Sequence, residues 1–128
     1  MGPGGPQGRR YRGGRTRRTR RFIEPAILYL LCDAPQHGYA LVGGLCDLGV
    51  HEPVDMSAVY RLLRGLEGQG LVDSSWDHES AGGPPRRVYR ITEQGRATLD
   101  ELMADLRSTT QYLTELVSAY DQDVHSHR

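Results

Sequence analysis

One short segment, Met56–Gln69, constrains the fold more than any other part of this 128-residue chain. Asp55 suits the N-cap of a helix there, and the glycines at 68 and 70 suit its end. Four apolar side chains recur at i, i+3, i+4 and i+7, a spacing that predicts one buried stripe: Val59, Leu62, Leu63 and Leu66. The opposite face carries polar side chains: Ser57, Tyr60, Arg61 and Arg64. Such a helix packs on one side and presents hydrogen-bond donors on the other.

Two more helices are predicted before this amphipathic helix. The apolar run Ala26–Cys32 predicts a helix that is buried on most sides. A second helix is predicted over His37–Leu48, with Gly49 as its glycine cap. A short turn through Glu52-Pro53 then leads into the amphipathic helix. The inward side chains of the second helix are expected to be Tyr39, Leu41, Val42 and Leu45.

A β-hairpin is predicted after the amphipathic helix. Its strands are expected at Leu71–Asp77 and Arg87–Ile91, joined by a Gly/Pro-rich loop at His78–Arg86. A hairpin with a long tip in this position is the wing of a winged helix-turn-helix. Trp76, the only tryptophan, alternates to the same face as Val72, which favours a packing role over that of a ligand platform.

The last predicted helix begins at Thr92, a suitable N-cap, and runs to about Tyr120. Apolar side chains recur on it every seven residues, with others at the intervening d-type positions, which predicts a coiled-coil-like seam without a partner in its own subunit. The predicted fold class is therefore mainly α with a small β-wing (α+β): a winged helix-turn-helix with a long C-terminal dimerisation helix. The dimer interface is expected to include Phe22 and the seam residues Leu99, Leu102, Leu106, Thr109, Leu113, Leu116 and Tyr120.

The polar face of the amphipathic helix suits DNA. Arginine forms bidentate hydrogen bonds with O6 and N7 of guanine, so Arg61 and Arg64, one turn apart, are candidates for base contacts in the major groove. The hydroxyls of the same face can bond a base or a phosphate. Arg86 and Arg87 stand where the wing leaves its tip, where they can hold phosphates beside the groove. The alternative is that these side chains only solvate a helix face and a turn.

The formal net charge is zero, but the charges are unevenly divided. Residues 1–21 contain eight arginines and no acidic residue, whereas the other eight basic residues share the rest of the chain with all sixteen acidic ones. The first segment is rich in Gly and Pro and is expected to be a disordered arm. Its charge favours a polyanionic partner, through phosphates or a minor groove. The alternatives are an inert solubilising tail, or an architectural or RNA-binding role that uses the arm on duplexes of any sequence.

Several other functions lack a signal in the sequence. No stretch has the apolar length of a membrane span or of a signal peptide, so the expected location is the cytoplasm, in association with the nucleoid. Cys32 and Cys46 are expected to be reduced and buried as small apolar side chains; a redox switch between them is the alternative. No metal-ligand set, phosphate loop or nucleophile–base pair stands out. Neither an enzyme nor a cofactor or metal is predicted.

Three runs of residues are distinctive in combination, with x for any residue: His37-Gly38-Tyr39; Ser57-x-Val59-Tyr60-Arg61-x-Leu63-Arg64-x-Leu66-Glu67-x-x-Gly70-Leu71-Val72; and Pro84-Pro85-Arg86-Arg87-Val88-Tyr89-Arg90-Ile91-Thr92-x-x-Gly95. They resemble the PadR (phenolic acid decarboxylase regulator) family over about residues 22–107. The resemblance implies a cytoplasmic homodimer that represses by binding a palindromic operator and is usually released by a small molecule. It also implies that Tyr39 belongs to the DNA-binding element.

These expectations divide the chain into four parts: an arm at 1–21, a winged helix-turn-helix domain at 22–92, a dimerisation helix at 93–120 and a frayed tail at 121–128. DNA binding is expected of residues 37–92. A pocket for a small-molecule effector is expected between the C-terminal helices and the first helix, near Phe22, Tyr29, Tyr112 or Tyr120. The effector, its direction of action and the target genes are left open.

Overall fold

The structure, a computed structural model, describes residues 22–49, 54–77 and 83–126. In this part of the chain the winged helix-turn-helix predicted from the sequence is confirmed. The predicted arm, the turn at Glu52-Pro53, most of the wing tip and residues 127–128 lie outside the described residues. The elements in chain order are α1 (22–33), β1 (Gln36–His37), α2 (Gly38–Asp47), α3 (Met56–Gly68), β2 (Val72–Asp77), β3 (Arg86–Ile91) and α4 (Glu93–Ser126).

The sheet is antiparallel with the strand order β1-β3-β2. Its two long strands lie within one residue of their predicted bounds. The short strand β1 was not predicted, and the second helix begins at Gly38 rather than at His37. Gln36 and His37 are extended because they pair with Tyr89 and Val88 of β3, more than fifty residues away. A two-residue strand that depends on so distant a partner leaves no local pattern in the sequence.

Both ends of α3 are capped as the sequence predicts. The Asp55 carboxylate accepts a hydrogen bond from the backbone N–H of Ala58 at 2.8 Å. At the other end, the Leu71 N–H donates to the Leu66 carbonyl at 2.9 Å, and the Gly70 N–H donates to Glu67 at 3.0 Å. Gly70 has a φ of 79°, the left-handed conformation that this helix ending requires. The chain therefore turns directly from α3 into β2.

The core lies between α1, α2, α3, the sheet and the first turns of α4. The predicted stripe of α3 is confirmed for three of its four side chains, because Leu62 is only half-buried at the edge of the core. Burial of one such side chain stabilises the fold by about 1.5–3 kcal/mol. The buried apolar residues are Ile23, Ile27, Leu28, Leu31, Leu41, Leu45, Val59, Leu63, Leu66, Leu71, Val72, Tyr89 and Leu99.

The predicted inward stripe of α2 is wrong at Tyr39, which is 75% exposed. Leu41 and Leu45 are buried as expected, and the third member of their stripe is the buried Gly38. Tyr39 precedes Leu41 by two residues, and this spacing corresponds to about 200° around a helix. Its side chain therefore leaves the helix on the side opposite the core.

The helix α4 is partly embedded in its own domain, whereas the sequence predicted a seam without a partner in the subunit. Leu99 is only 6% exposed and belongs to the core, and Leu102 packs against that core. Every side chain from residue 110 to residue 123 is exposed. Thr92 is the predicted N-cap, since its hydroxyl accepts from the Gly95 N–H at 2.9 Å. The helix extends to Ser126, past the expected end near residue 120, because no Gly or Pro follows Gly95 in it.

The junction between β2 and α4 allows a test of this packing. A Cβ at Gly95 would overlap the carbonyl oxygen of Leu71 and approach Cγ1 of Ile91 to 2.7 Å. Gly95→Ala is expected to lower the free energy of unfolding by about 1–3 kcal/mol, because backbone must move to admit the methyl group. Gly43→Ala is the matched control, since its Cβ would meet nothing within 4 Å. It is expected to raise that free energy by about 0.5–1 kcal/mol. Urea denaturation measures both, and two shifts of the same sign would contradict this packing.

Candidate nucleic-acid interface

A groove of about 840 Å³ lies between α3, the start of α2 and the wing strands. Its walls combine four aromatic rings with three arginines and one carboxylate. Apolar faces next to hydrogen-bond donors make this a surface for a polar, anionic partner rather than for a purely apolar one. The lining residues are His37, Tyr39, Met56, Tyr60, Arg64, Glu67, Trp76, Pro85, Arg86, Arg87 and Tyr89.

The outer face of α3 forms one wall of this groove. Ser57, Arg61 and Arg64 are exposed there, as the sequence predicts for that face. Tyr60 is half-buried instead, because its ring packs against Tyr89 with centroids 6.4 Å apart. A Cβ at Gly38 would lie 2.7 Å from Cε1 of Tyr60, so the glycine makes room for this ring. The Tyr60 ring is thus held between α3, Gly38 and Tyr89, next to the exposed arginines of α3.

The wing forms the other wall, and its two adjacent arginines differ in environment. Arg86 is exposed, whereas Arg87 is half-buried. The Arg87 guanidinium lies 4.5 Å from the ring centroid of Trp76, which is its direct partner across the β2–β3 ladder. Its Nη1 donates to the Ser74 hydroxyl at 2.7 Å, and that hydroxyl donates to the Glu67 carboxylate of α3 at 2.8 Å. Arg87 therefore connects both strands of the wing to the end of α3.

Trp76 is 52% exposed, so the packing role predicted for it in the core is wrong. The alternation along β2 was read correctly, because Val72 on the same face is buried. The strand, however, continues beyond the edge of the core, and by Trp76 its inner face meets the groove. The indole is covered on one side by Arg87 rather than by apolar side chains.

Three of the exposed arginines lie on α3 and the wing. Arg61, Arg64 and Arg86 form no hydrogen bond or ion pair with another described residue. At the sheet, His37 Nε2 of β1 lies 3.5 Å from Asp77 Oδ2, across β3, at the end of β2 where the wing loop begins. Sequence reasoning missed His37 and Glu67 as groove residues. It also missed the His37–Asp77 pair, which depends on the pairing of distant strands.

Comparison with known proteins shows the family to which this chain belongs. The Transcriptional regulator PadR-like family matches residues 27–101, which is more than half of the chain. This chain belongs to the PadR-like family. No curated protein matches it in sequence.

Solved structures of PadR-like regulators share the fold over nearly their whole length. A PadR family transcriptional regulator from Eggerthella lenta is 31% identical with a TM-score of 0.63, covering 87% of this chain and 96% of that chain. A PadR-like transcription factor from Bacteroides fragilis is 25% identical with a TM-score of 0.67, covering 81% and 98%. A PadR-like regulator from Bacillus cereus is 26% identical with a TM-score of 0.64, covering 74% and 90%.

The members of this family are DNA-binding transcription regulators and not enzymes. The predictions of a DNA-binding regulator and of a protein that is not an enzyme are therefore confirmed. Across the described ranges, no helix is long and apolar enough to cross a membrane. The same ranges contain no group of three His, Cys, Asp or Glu side chains that could hold a metal ion. Both cysteines are free, but the predicted burial is wrong for Cys46, which is exposed; Cys32 is half-buried. Cys46 lies in the last turn of α2, on the side away from the core.

The residues predicted for dimerisation and effector binding lie away from the groove. Leu106 and Thr109 are half-buried, at the point where α4 leaves the domain. The other seam residues beyond them are exposed, together with Val117. The four predicted effector residues are also exposed, on α1 and α4, and none of them lines the groove: Phe22, Tyr29, Tyr112 and Tyr120.

The buried floor of the groove allows a prediction about pH. Tyr89 is only 3% exposed, and this burial raises the pKa of its phenol above the ordinary value, although the nearby Arg87 charge acts in the opposite direction. Because the pKa of Tyr89 is higher in the folded state, the neutral phenol contributes to the stability of the fold. This contribution is fully present below the pKa of a tyrosine in the unfolded chain, about 10. It is lost as the pH rises through the folded pKa.

Tyr89→Phe is therefore expected to make this PadR-like regulator less sensitive to alkali. The free energy of unfolding of the wild type should fall relative to that of the variant as the pH rises above about 10, because only the wild type has a phenol at this position that ionises. Urea titrations from neutral to alkaline pH would measure it. Stability curves for the two proteins that stay parallel over that range would contradict the assignment.

Proposed function

We propose that this PadR-like regulator is a homodimeric repressor that binds a palindromic operator and is modulated by a small molecule. The observation that carries the DNA-binding part is the face of α3. Its arginines are exposed beside a groove whose other wall is the wing, while its opposite face is buried in the core. A helix held in this way can enter the major groove with its outer side chains toward the base edges.

The proposed contacts divide into two groups. Arg61 and Arg64, with Ser57, face the major groove, where guanidinium groups can read guanine. Arg86 on the wing and Tyr39 at the start of α2 flank this helix and suit contacts with phosphates, which fix the register of the protein on the duplex. Tyr60 supports the reading face. The proposed DNA-contacting residues are Tyr39, Ser57, Tyr60, Arg61, Arg64 and Arg86.

The dimer is supported by the exposed half of α4. This helix has 34 residues and so a length of about 51 Å at 1.5 Å per residue. Its outer part carries five large apolar side chains that are all at least 46% exposed: Tyr112, Leu113, Leu116, Val117 and Tyr120. A helix segment with such a stripe needs a partner to cover it. A second copy of the same helix meets this need, and a two-fold dimer then fits a palindromic operator.

The effector and the arm are the remaining parts of the proposal. The exposed aromatic side chains of α1 and α4 would come near the α4 helices of a dimer, where they can line a pocket for a small molecule. The arm at residues 1–21 is proposed to add phosphate contacts that raise the affinity for any DNA, because its eight arginines face no acidic neighbour in sequence.

Sequence-specific DNA binding can be tested by selecting bound fragments from genomic DNA. The affinity for a selected site should exceed that for random DNA by about 10³-fold or more at physiological salt. Arg64→Gln should weaken binding to the selected site by about 10- to 100-fold, in line with one lost base contact. Arg90→Gln is the control, because Arg90 is exposed but pairs with Asp73 and Ser75 outside the groove. A wild-type ratio near one would instead indicate an architectural or RNA-binding protein.

The dimer predicts a second outcome. Leu113→Glu and Leu116→Glu place a charge in the apolar stripe of α4, and each is expected to weaken self-association by about 100-fold or more, since an unpaired carboxylate would be buried. Ser118→Glu adds the same charge on the opposite side of the helix and should leave the dimer intact. Sedimentation velocity over a range of protein concentrations measures this. A wild type that sediments as a monomer at tens of micromolar would contradict the dimer.

A further inference from the structure

Two neighbouring arginines of the wing differ in one respect that affects their roles. The Arg86 side chain is exposed, whereas the half-buried Arg87 guanidinium lies on the Trp76 ring and donates to Ser74. Through the Ser74 hydroxyl this contact continues to the Glu67 carboxylate near the end of α3. The connection runs from β3 through β2 to α3. We call these four residues, Glu67, Ser74, Trp76 and Arg87, the wing tether.

We propose that Arg87 is a positioning residue that holds the wing at a fixed angle to α3, and that it does not act as a phosphate contact. The wing tether would then set the width of the protein groove between α3 and the wing. This width would affect how well the protein distinguishes its operator from random DNA. This inference rests on the proposed function, since it requires a DNA-reading α3. It corrects the role that the sequence suggested for Arg87.

The charge of Arg87 is already balanced within the protein. Glu67 lies one hydroxyl group away, so the tether carries one positive and one negative charge and adds little to the attraction for DNA. To reach a phosphate, the guanidinium would leave the Trp76 ring and the Ser74 hydroxyl. Both contacts are stronger in a partly desolvated site than in water. Arg86 makes neither of these contacts and is free to bind phosphate.

The choice of residue types agrees with a tether. A guanidinium is planar, so it can stack on an indole and still donate in its own plane, which a lysine ammonium cannot do. Ser74 sits diagonally across the ladder from Arg87, because Ser74 pairs with Tyr89 and Trp76 pairs with Arg87. The tether therefore forms only when β2 and β3 are in register. It links that register to the end of the reading helix.

The wing angle affects specificity because base contacts need closer placement than phosphate contacts. Phosphates repeat along any duplex and tolerate small shifts, whereas a bidentate contact with a base edge does not. A loosened wing would still bind DNA of any sequence. It would hold α3 less well in the one register that suits the operator.

The experiment measures binding to operator and to random DNA, over a range of salt concentrations, for four variants of the full chain. Arg87→Gln should lower the operator-to-random ratio by about tenfold, with random DNA bound within about twofold of wild type and the same salt slope. Arg86→Gln is the matched control: it should weaken both DNAs alike and reduce the salt slope by about one. Ser74→Ala breaks the tether without a change of charge and should lower the ratio as Arg87→Gln does.

Glu67→Gln distinguishes a role in positioning the wing from an electrostatic effect of the carboxylate on DNA binding. Removal of a carboxylate beside the groove should strengthen binding to random DNA, because repulsion of phosphate is reduced. If the tether positions the wing, the operator-to-random ratio should nevertheless fall. The fluorescence of Trp76, the sole tryptophan, gives an independent readout and should change alike in Arg87→Gln and Ser74→Ala.

Some outcomes would overturn the inference. A reduced salt slope with an unchanged ratio in Arg87→Gln would make Arg87 a phosphate contact. A wild-type ratio in both Ser74→Ala and Glu67→Gln would show that the tether does not affect specificity, even if Arg87→Gln fails to fold. A wild type that does not distinguish operator from random DNA would instead overturn the proposed function itself.

Discussion

The burial of one face of α3 is the constraint on which the rest of this PadR-like chain depends. Val59, Leu63 and Leu66 are almost completely buried, and together they fix the rotation of the helix about its own axis. A helix with only one apolar stripe has only one way to bury it. The orientation of Arg61 and Arg64 toward solvent is therefore a consequence of core packing.

The two ends of α3 extend this constraint to the other elements. After Leu66 the chain turns through Gly70 into β2, so the wing starts at a fixed point beside α3. The Thr92 hydroxyl donates to the Gly70 carbonyl at 2.7 Å, which ties the start of α4 to the same turn. One short junction thus joins α3, the wing and the long C-terminal helix.

The sequence predicted most of the features that depend on neighbours in the chain, although the local pattern of α2 was misread at Tyr39. The stripe, the Asp55 and Thr92 caps and the Gly70 ending are local, because spacing and side-chain chemistry within a few residues determine them. The strand β1 and the exposure of Trp76 depend on which distant segments meet and where the core ends. The burial of Leu99 depends on the same facts, and a heptad pattern cannot distinguish a core contact from a dimer contact. The face of α3 was therefore predictable, whereas the groove beside it was not.

The arginines of the interface differ in burial, and burial determines which partners a guanidinium group can bind. An exposed arginine such as Arg61 keeps its hydration and is free to exchange it for a phosphate or a base. The half-buried Arg87 has already exchanged part of its hydration for an indole, a hydroxyl and a carboxylate one bond farther on. Its guanidinium is therefore already held by partners within the protein. Adjacent residues of the same type thus differ in their contacts, because they leave β3 on opposite faces and only Arg87 reaches Trp76 and Ser74.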